Sequence, residues 1–170
     1  ISKLVTAICA LRLVQDEVLS LDADVNGYLT SWQLPDTSLL KESPVTLGSL
    51  LAHQSGIEDA DGAFPPYNEK DPFPSGVALL TGVTSYNPVP VCVSQPPGTS
   101  FAYSYAGYCV VAQMLQDVTG VDVATLAERF IWRPLALDRS FFWTRGAKDE
   151  LPSGVQRSDC AVGHDRHGNI

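Results

Sequence analysis

The chain has 170 residues, of which 45% are hydrophobic and 18% charged, a composition typical of a folded domain and not of a disordered segment. Its net charge of −8 argues against a nucleic-acid partner, because binding to a polyanion relies on a positive surface field. No apolar run reaches the length that spans a membrane. The first residues already lie within a helical pattern and any signal peptide would precede them, so the sequence assigns no compartment.

The first predicted element is a long helix from residue 3 to about residue 19. Its apolar positions recur at helical intervals and include Leu4, Val5, Ile8, Leu11 and Val18. Nothing before Asp22 breaks this pattern, so we expect the helix to be largely buried. A short second helix is predicted over residues 47–53, with Thr46 as its N-cap and Gly56 soon after its end.

Two long loops and two further helices are predicted next. Residues 58–75 and 86–99 are rich in proline, and loops of that length usually line a binding site or are mobile. Helical periodicity returns from Tyr108 to Val118 and is ended by Gly120, and a helix over residues 124–131 is closed by Pro134. Residues 140–143 are short, aromatic and strand-like. The chain is therefore predicted to be mainly helical, with little sheet of its own.

The start of the chain has a spacing that suits nucleophilic catalysis. Residues three apart share a helix face, so a serine immediately before Ile1 would meet the ammonium of Lys3 across one turn, in the pattern S-x-x-K. A hydroxyl needs a neighbouring base or cation to lose its proton, and a lysine on that face provides one. Ser2 adjoins Lys3 and points to another side of the helix. Lys3 is therefore a candidate catalytic residue, with a solvated lysine near a helix start as the alternative.

The same spacing occurs a second time, at Ser38 and Lys41. Pro35 and Pro44 flank this segment closely, so the long buried helix that the chemistry needs cannot form there. The sequence contains no G-x-S-x-G elbow, which argues against an α/β-hydrolase.

The cysteines and the C-terminal histidines give weak signals. The four cysteines contain no C-x-x-C pair, and we expect Cys9 and Cys109 to be buried free thiols, with a structural disulfide as the alternative. His164 and His167 lie with Asp165 in a glycine-flanked turn, which does not favour zinc.

Several stretches of the chain agree, in order, with one family pattern. They are residues 1–7, 18–25, 45–57 and 97–98, then Phe101, Tyr103, Gly107 and Tyr108, and finally residues 161–165. In these stretches the chain resembles the penicillin-recognising serine hydrolases. The likeness is strongest to the branch that holds class C β-lactamases, D-amino-acid peptidases and β-lactamase-like esterases, and it is weak over residues 58–96 and 138–158.

This resemblance implies an α+β fold, in which a helical lobe lies beside an antiparallel sheet covered by helices and the catalytic cleft lies between them. The family builds that sheet from segments before the nucleophile and near the far C-terminus. We therefore expect residues 1–170 to be an internal segment of one β-lactamase-like catalytic domain, mostly its helical lobe. The remainder of the same protein would complete the sheet and the cleft.

The resemblance also implies a second catalytic element. In the family a Y-x-N motif places its tyrosine beside the nucleophile and the lysine, and its asparagine binds the substrate's amide. The motif aligns here with residues 103–105, so Tyr103 keeps the tyrosine and Tyr105 replaces the asparagine. A phenol acts as a general base where an adjacent cation favours its phenolate, and Lys3 would be that cation. A core aromatic is the alternative for Tyr103.

The loss of the asparagine bears on the substrate. Tyr105 lacks the donor and the acceptor of a carboxamide, which favours esters over β-lactams and peptides and makes Tyr105 a candidate substrate-binding residue. His53 begins an H-x-S-G turn, where we expect its ring to hold the turn after the second helix.

Together these residues predict a serine hydrolase that acts through an acyl-enzyme on a small-molecule ester or amide, with no metal or organic cofactor. A carboxylesterase is the leading activity, and a β-lactamase or D-amino-acid peptidase is the alternative. A non-catalytic relative that keeps the cleft as a binding module is the alternative from a different class.

Overall fold

The computed structural model describes residues 1–65, 73–142 and 155–156. Within these ranges the chain forms helices α1 (Ser2–Gln15), α2 (Ser38–Glu42), α3 (Leu47–Leu51), α4 (Gly76–Leu80), α5 (Tyr105–Thr119) and α6 (Val123–Ala127). A 3-10 turn covers Val25–Gly27, and one turn of π-helix, Glu128–Trp132, continues α6. Helix α5 contacts α1, α3, α4 and α6, so these four helices are arranged around it.

Helix α1 is shorter than predicted and buries a different face. It ends at Gln15 instead of near Leu19, because Glu17 takes a left-handed φ of 58° and the N–H groups of Val18 and Leu19 both donate to the carbonyl of Leu13. The buried face comprises Val5, Thr6, Cys9, Ala10 and Leu13. Of the apolar positions predicted to be buried, only Val5 is; the exposed ones are Leu4, Ile8, Leu11 and Val18. The helix therefore has two apolar faces. The described residues cover the first of them and leave the second, with Leu4, Ile8 and Leu11, exposed.

Helix α3 begins as predicted, at Thr46. The side chain of Thr46 accepts from the N–H of Ser49, and the Ser49 hydroxyl oxygen accepts from the N–H of Thr46, which closes a capping box. The helix ends at Leu51, two residues before the predicted end, and His53 then adopts a left-handed φ of 56°. This turn directs the chain towards the segment before α5.

Helices α5 and α6 were also predicted, with small differences in their bounds. Ser104 caps the start of α5, and Gly120, with φ of 72°, ends it where the sequence indicated. Its buried positions include Ala106, Val110 and Met114, which join the core. Helix α6 and the π-helical turn together cover the helix predicted over residues 124–131.

Extended pairing is sparse, as expected. The described part of the chain contains two isolated antiparallel bridges, Asp24 with Thr46 and Ile57 with Val93. Residues 140–142 do not form the predicted strand, and Trp143 lies outside the described residues. No helix within the described residues is long and apolar enough to cross a bilayer.

Asp117 anchors the far end of α5. Its carboxylate accepts from the N–H groups of Thr30 and Ser31 at 2.8 and 2.9 Å and from Nε2 of Gln113 at 2.9 Å. Burial would raise the pKa of Asp117, but these hydrogen bonds outweigh it and leave the pKa below its ordinary value. The loop at residues 30–31 is thereby fixed to α5.

Gly56, in the turn after α3, lies in close contact with the backbone of Gln95. It has φ of +73°, and a Cβ built there would lie 2.0 Å from the carbonyl oxygen of Gln95. Gly62 has a similar φ of +75° but open space around it. We expect Gly62→Ala to lower the free energy of unfolding by about 1 kcal/mol, through backbone strain alone. Gly56→Ala adds the backbone clash and should cost about 3 kcal/mol or more.

Urea unfolding of the two variants beside the parent protein measures this difference. Equal losses of stability in the two variants would show that the approach of Gln95 to Gly56 is not a tight constraint.

Candidate active site

Three distant segments meet at one end of α5. They are the first turn of α1, the turn after α3, and residues 101–108, which lead into α5. The N–H of Ala102 donates to the carbonyl of His53 at 2.8 Å, and the N–H of Gly98 donates to the carbonyl of Gln54 at 2.7 Å. These backbone bonds hold the Tyr103 segment against the turn after α3.

Lys3 lies within an arc of three tyrosine rings. Its Nζ is 4.0 Å from the ring centroid of Tyr105, 4.8 Å from that of Tyr103 and 5.4 Å from that of Tyr108. All three distances are within the range of cation–π attraction. The three candidate residues of the sequence, Lys3, Tyr103 and Tyr105, are therefore neighbours in the structure, although 100 positions separate the first from the second. Their roles in a reaction remain predictions.

His53 supports the Tyr103 segment directly. Its Nδ1 accepts from the N–H of Ser104 at 3.1 Å, and its ring stacks on Tyr103 with centroids 4.5 Å apart. The predicted structural role of His53 is consistent with these contacts, but its partner is the Tyr103 segment and not only its own turn. Acceptance at Nδ1 requires that this nitrogen carry no proton.

Asp59 is a member of the site that the sequence analysis missed. Its Oδ1 accepts from the Ser104 hydroxyl and the N–H of Ala106, both at 2.9 Å, and its Oδ2 accepts from the N–H of Tyr105 at 2.8 Å. A carboxylate at a helix N-terminus satisfies exposed N–H groups and complements the helix dipole. The only local signal was Ser104, a residue typical of N-caps, because the partners of Asp59 lie 45 to 47 positions along the chain.

Burial and the neighbouring Lys3 favour a neutral His53. Burial, followed by repulsion from Lys3, lowers the pKa of His53, and the carboxylate of Asp59 opposes that change. A neutral ring is the form that accepts the N–H of Ser104, so the pKa and the hydrogen bond agree.

This arrangement predicts a pH dependence of stability. Because the folded-state pKa of His53 lies below the unfolded value of 6.5, its contribution is fully present above pH 6.5 and is lost as pH falls through the folded value. His53→Asn removes the titration, keeps an acceptor near Nδ1 and tolerates the left-handed φ. As pH falls from 7 to 5, we expect the free energy of unfolding of the parent to decrease relative to that of this variant, measured by urea unfolding. A difference that stays constant over that range would contradict the prediction.

The cysteines near the site are poor candidates for nucleophiles. Burial raises the pKa of Cys109 to about 11, with a further increase from Asp59 and a smaller opposing effect of Lys3. Burial also raises the pKa of Cys9 to about 11. Both thiols stay protonated at neutral pH, whereas the thiolate is the reactive form. Cys9, Cys92 and Cys109 are all free; Cys9 is buried, as expected, whereas Cys109 is only partly buried.

The other motif-like segments supply none of the contacts described for this cluster. Ser38 and Lys41 are exposed on the five-residue helix α2. His164, Asp165 and His167 lie outside the described residues, and inside them no group of three or more His, Cys, Asp or Glu side chains could hold a metal ion.

Solved structures with a similar fold agree with the fold that the sequence predicted. The β-lactamase/D-alanine carboxypeptidase from Yersinia pestis complexed with citrate superposes with a TM-score of 0.63, at 24% identity, over 80% of this chain and 37% of that one. The predicted β-lactamase-like α+β fold, present here mainly as its helical lobe, is therefore confirmed.

Sequence comparison gives the family. The model of the Beta-lactamase family matches residues 1–162, so the chain belongs to the beta-lactamase family, as its motifs predicted. Lovastatin esterase from Penicillium rubens is 28% identical over 84% of this chain and 38% of its own length. Unguisins hydrolase ungD' from Aspergillus campestris is 24% identical over 87% of this chain and 29% of its own length. The chain thus spans well under half of each of these relatives.

Proposed function

We propose that the complete protein is a serine hydrolase that acts through an acyl-enzyme, and that its substrate is a carboxylic ester. The observation that carries this proposal is the position of the Lys3 ammonium, 4.8 Å from the ring centroid of Tyr103. A cation beside a phenol is the pairing that activates a hydroxyl nucleophile. Two relatives named as a hydrolase and an esterase support the same class of reaction.

In the proposed mechanism the nucleophile is a serine joined to Ile1, one helical turn from Lys3. Its proton passes to the oxygen of Tyr103, which acts as a phenolate general base beside the Lys3 ammonium, while the serine oxygen bonds to the ester carbonyl carbon. Backbone N–H groups, one from the serine and one from a strand in the remainder of the protein, hold the oxyanion. Tyr103 then gives that proton to the departing alcohol. In the second half of the reaction Tyr103 takes a proton from water as the water oxygen bonds to the acyl carbon, and returns it to the serine oxygen as the carboxylic acid leaves.

The cleft next to Tyr105 supports an ester with an apolar group. A space of about 280 Å³ opens there, close to the lower end of the usual size of ligand pockets. Its walls include the rings of Phe64, Phe73, Tyr86 and Tyr105. Tyr105 lacks the separate carbonyl and NH₂ groups of an asparagine side chain, and an ester, unlike an amide, has no N–H group that needs the carbonyl as acceptor.

The remainder of the domain is part of this proposal. The chain covers 29% and 38% of the two fungal relatives, and α1 leaves Leu4, Ile8 and Leu11 exposed on one face. We propose that residues 1–170 form an internal segment of one catalytic domain, whose other parts complete the sheet, cover this face and close the cleft.

Intact-mass measurement of the full protein before and after a fluorophosphonate probe tests the proposal, with peptide mapping of the adduct. We expect one adduct, on a serine joined to Ile1. p-Nitrophenyl hexanoate should then be hydrolysed with kcat/KM at least about tenfold above that for the acetate, because each buried methylene contributes about 0.8 kcal/mol. Faster turnover of a chromogenic cephalosporin than of any ester would indicate a β-lactamase. No adduct and no turnover would indicate a non-catalytic binding module.

A further inference from the structure

We infer that Tyr105 is a positioning residue for Lys3: its ring face holds the ammonium in the site, in the place where the family pattern has an asparagine. This inference rests on the proposed function for its meaning in catalysis. Of the three rings around Lys3, that of Tyr105 is the nearest to Nζ, at 4.0 Å between Nζ and the ring centroid. The inference gives Tyr105 a function towards the enzyme's own lysine, beyond contact with a substrate.

Tyr105 is well held for this function. Its N–H donates to Oδ2 of Asp59 at 2.8 Å, which fixes its backbone at the first position of α5. Phe64 stacks on its ring with centroids 5.7 Å apart, and Tyr103 meets it edge to face at 5.5 Å. The ring is thus oriented by a backbone hydrogen bond and by two neighbouring rings.

Lys3 needs such a partner because of its place in the chain. It lies in the first turn of α1, only partly buried, on a side chain with four rotatable bonds and a strongly hydrated ammonium. Without an attraction inside the site, that side chain would sample many rotamers in water. Cation–π contact with Tyr105 restricts it to the rotamers in which the ammonium lies beside Tyr103.

The test compares Tyr105→Leu with Tyr105→Phe in the full protein. Phe keeps the ring face and Leu keeps apolar volume for a substrate while losing the ring. We expect kcat for a p-nitrophenyl ester to fall about tenfold in Tyr105→Leu, with KM changed less than about threefold, and to stay within about twofold of the parent in Tyr105→Phe. Phe101→Leu is the matched control, because Phe101 is an exposed ring of the same segment whose ring is not among those around Lys3.

A second readout needs no enzymatic activity. The ε-CH₂ protons of Lys3, assigned with Lys3→Arg, should show the upfield NMR shift of protons above aromatic rings. This shift should persist in Tyr105→Phe and decrease in Tyr105→Leu, with circular dichroism confirming that each variant is folded. A rise in KM alone in Tyr105→Leu, or an unchanged Lys3 shift, would overturn the inference while leaving the proposed hydrolase intact. If no ester is turned over, the proposed function fails and the NMR shift alone tests whether Tyr105 holds Lys3.

Discussion

Replacing Lys3 by alanine is expected to reduce kcat/KM for ester hydrolysis by about three orders of magnitude, the scale of effects of general acid–base groups. Lys3 places a positive charge beside three tyrosine rings, with Nζ 4.0, 4.8 and 5.4 Å from their centroids. In the proposed mechanism its loss removes the positive charge that lies beside the Tyr103 ring and the serine. A p-nitrophenyl ester assay on the full protein measures the effect.

The fold should survive this substitution. Lys3 is partly exposed in the first turn of α1, its ammonium lies against ring faces, and alanine is the most favourable residue in a helix. Circular dichroism and the urea midpoint should therefore change little. Lys41→Ala, which removes an exposed lysine on α2, is the matched control and should leave turnover unchanged.

Lys3→Ala also has an expected result that does not depend on catalysis. Repulsion from Lys3 is one of the causes that lower the pKa of His53, so its removal should raise that pKa towards the ordinary value. An NMR titration of His53 measures this change. Retained hydrolysis in Lys3→Ala would exclude Lys3 from the mechanism, whatever the titration shows.

The sequence predicted helices α1, α3, α5 and α6, but not the short helices α2 and α4, and it predicted the pairing of Lys3 with Tyr103 for a different reason. Helix starts and ends depend on local chemistry. Thr46 therefore marked the start of α3 correctly, and Gly120 marked the end of α5. Lys3 and Tyr103 are far apart in sequence, and only the resemblance to a known family connected them. Periodicity could not show which apolar face of α1 is covered, because both faces of that helix carry apolar residues and the outcome depends on tertiary contacts.

The two carboxylates that hold the ends of α5, Asp59 at the site and Asp117 at the far end, could not be predicted. Asp59 and Asp117 bind N–H groups of segments 45 or more positions away, and neither lies in a local pattern that indicates its partners. A proline-rich loop with several aspartates gives no reason to prefer Asp59 over Asp61. Such a residue is identified only when the fold brings the donors for its carboxylate together, as at the start of α5 for Asp59.

Replacing Asp59 by alanine is expected to reduce both stability and activity. The substitution leaves the N–H groups of Tyr105 and Ala106 and the Ser104 hydroxyl without their acceptor. The free energy of unfolding should fall by about 2–3 kcal/mol, the usual cost of losing hydrogen bonds to a charged group. Because the lost bonds hold the segment that carries Tyr103, kcat/KM should fall on the order of a hundredfold, as for a misplacement of about 1 Å.

The matched control is Asp117→Ala at the other end of α5. Asp117 also accepts from two backbone N–H groups and a hydroxyl, so its loss should lower stability by a similar amount. It holds the loop at residues 30–31 and not the Tyr103 segment, so turnover assayed well below both unfolding midpoints should remain within about threefold of the parent. Equal activity in the two variants would mean that Asp59 only stabilises the fold. Loss of activity in Asp59→Ala alone would show that the start of α5 must be held in place for Tyr103 to work with Lys3.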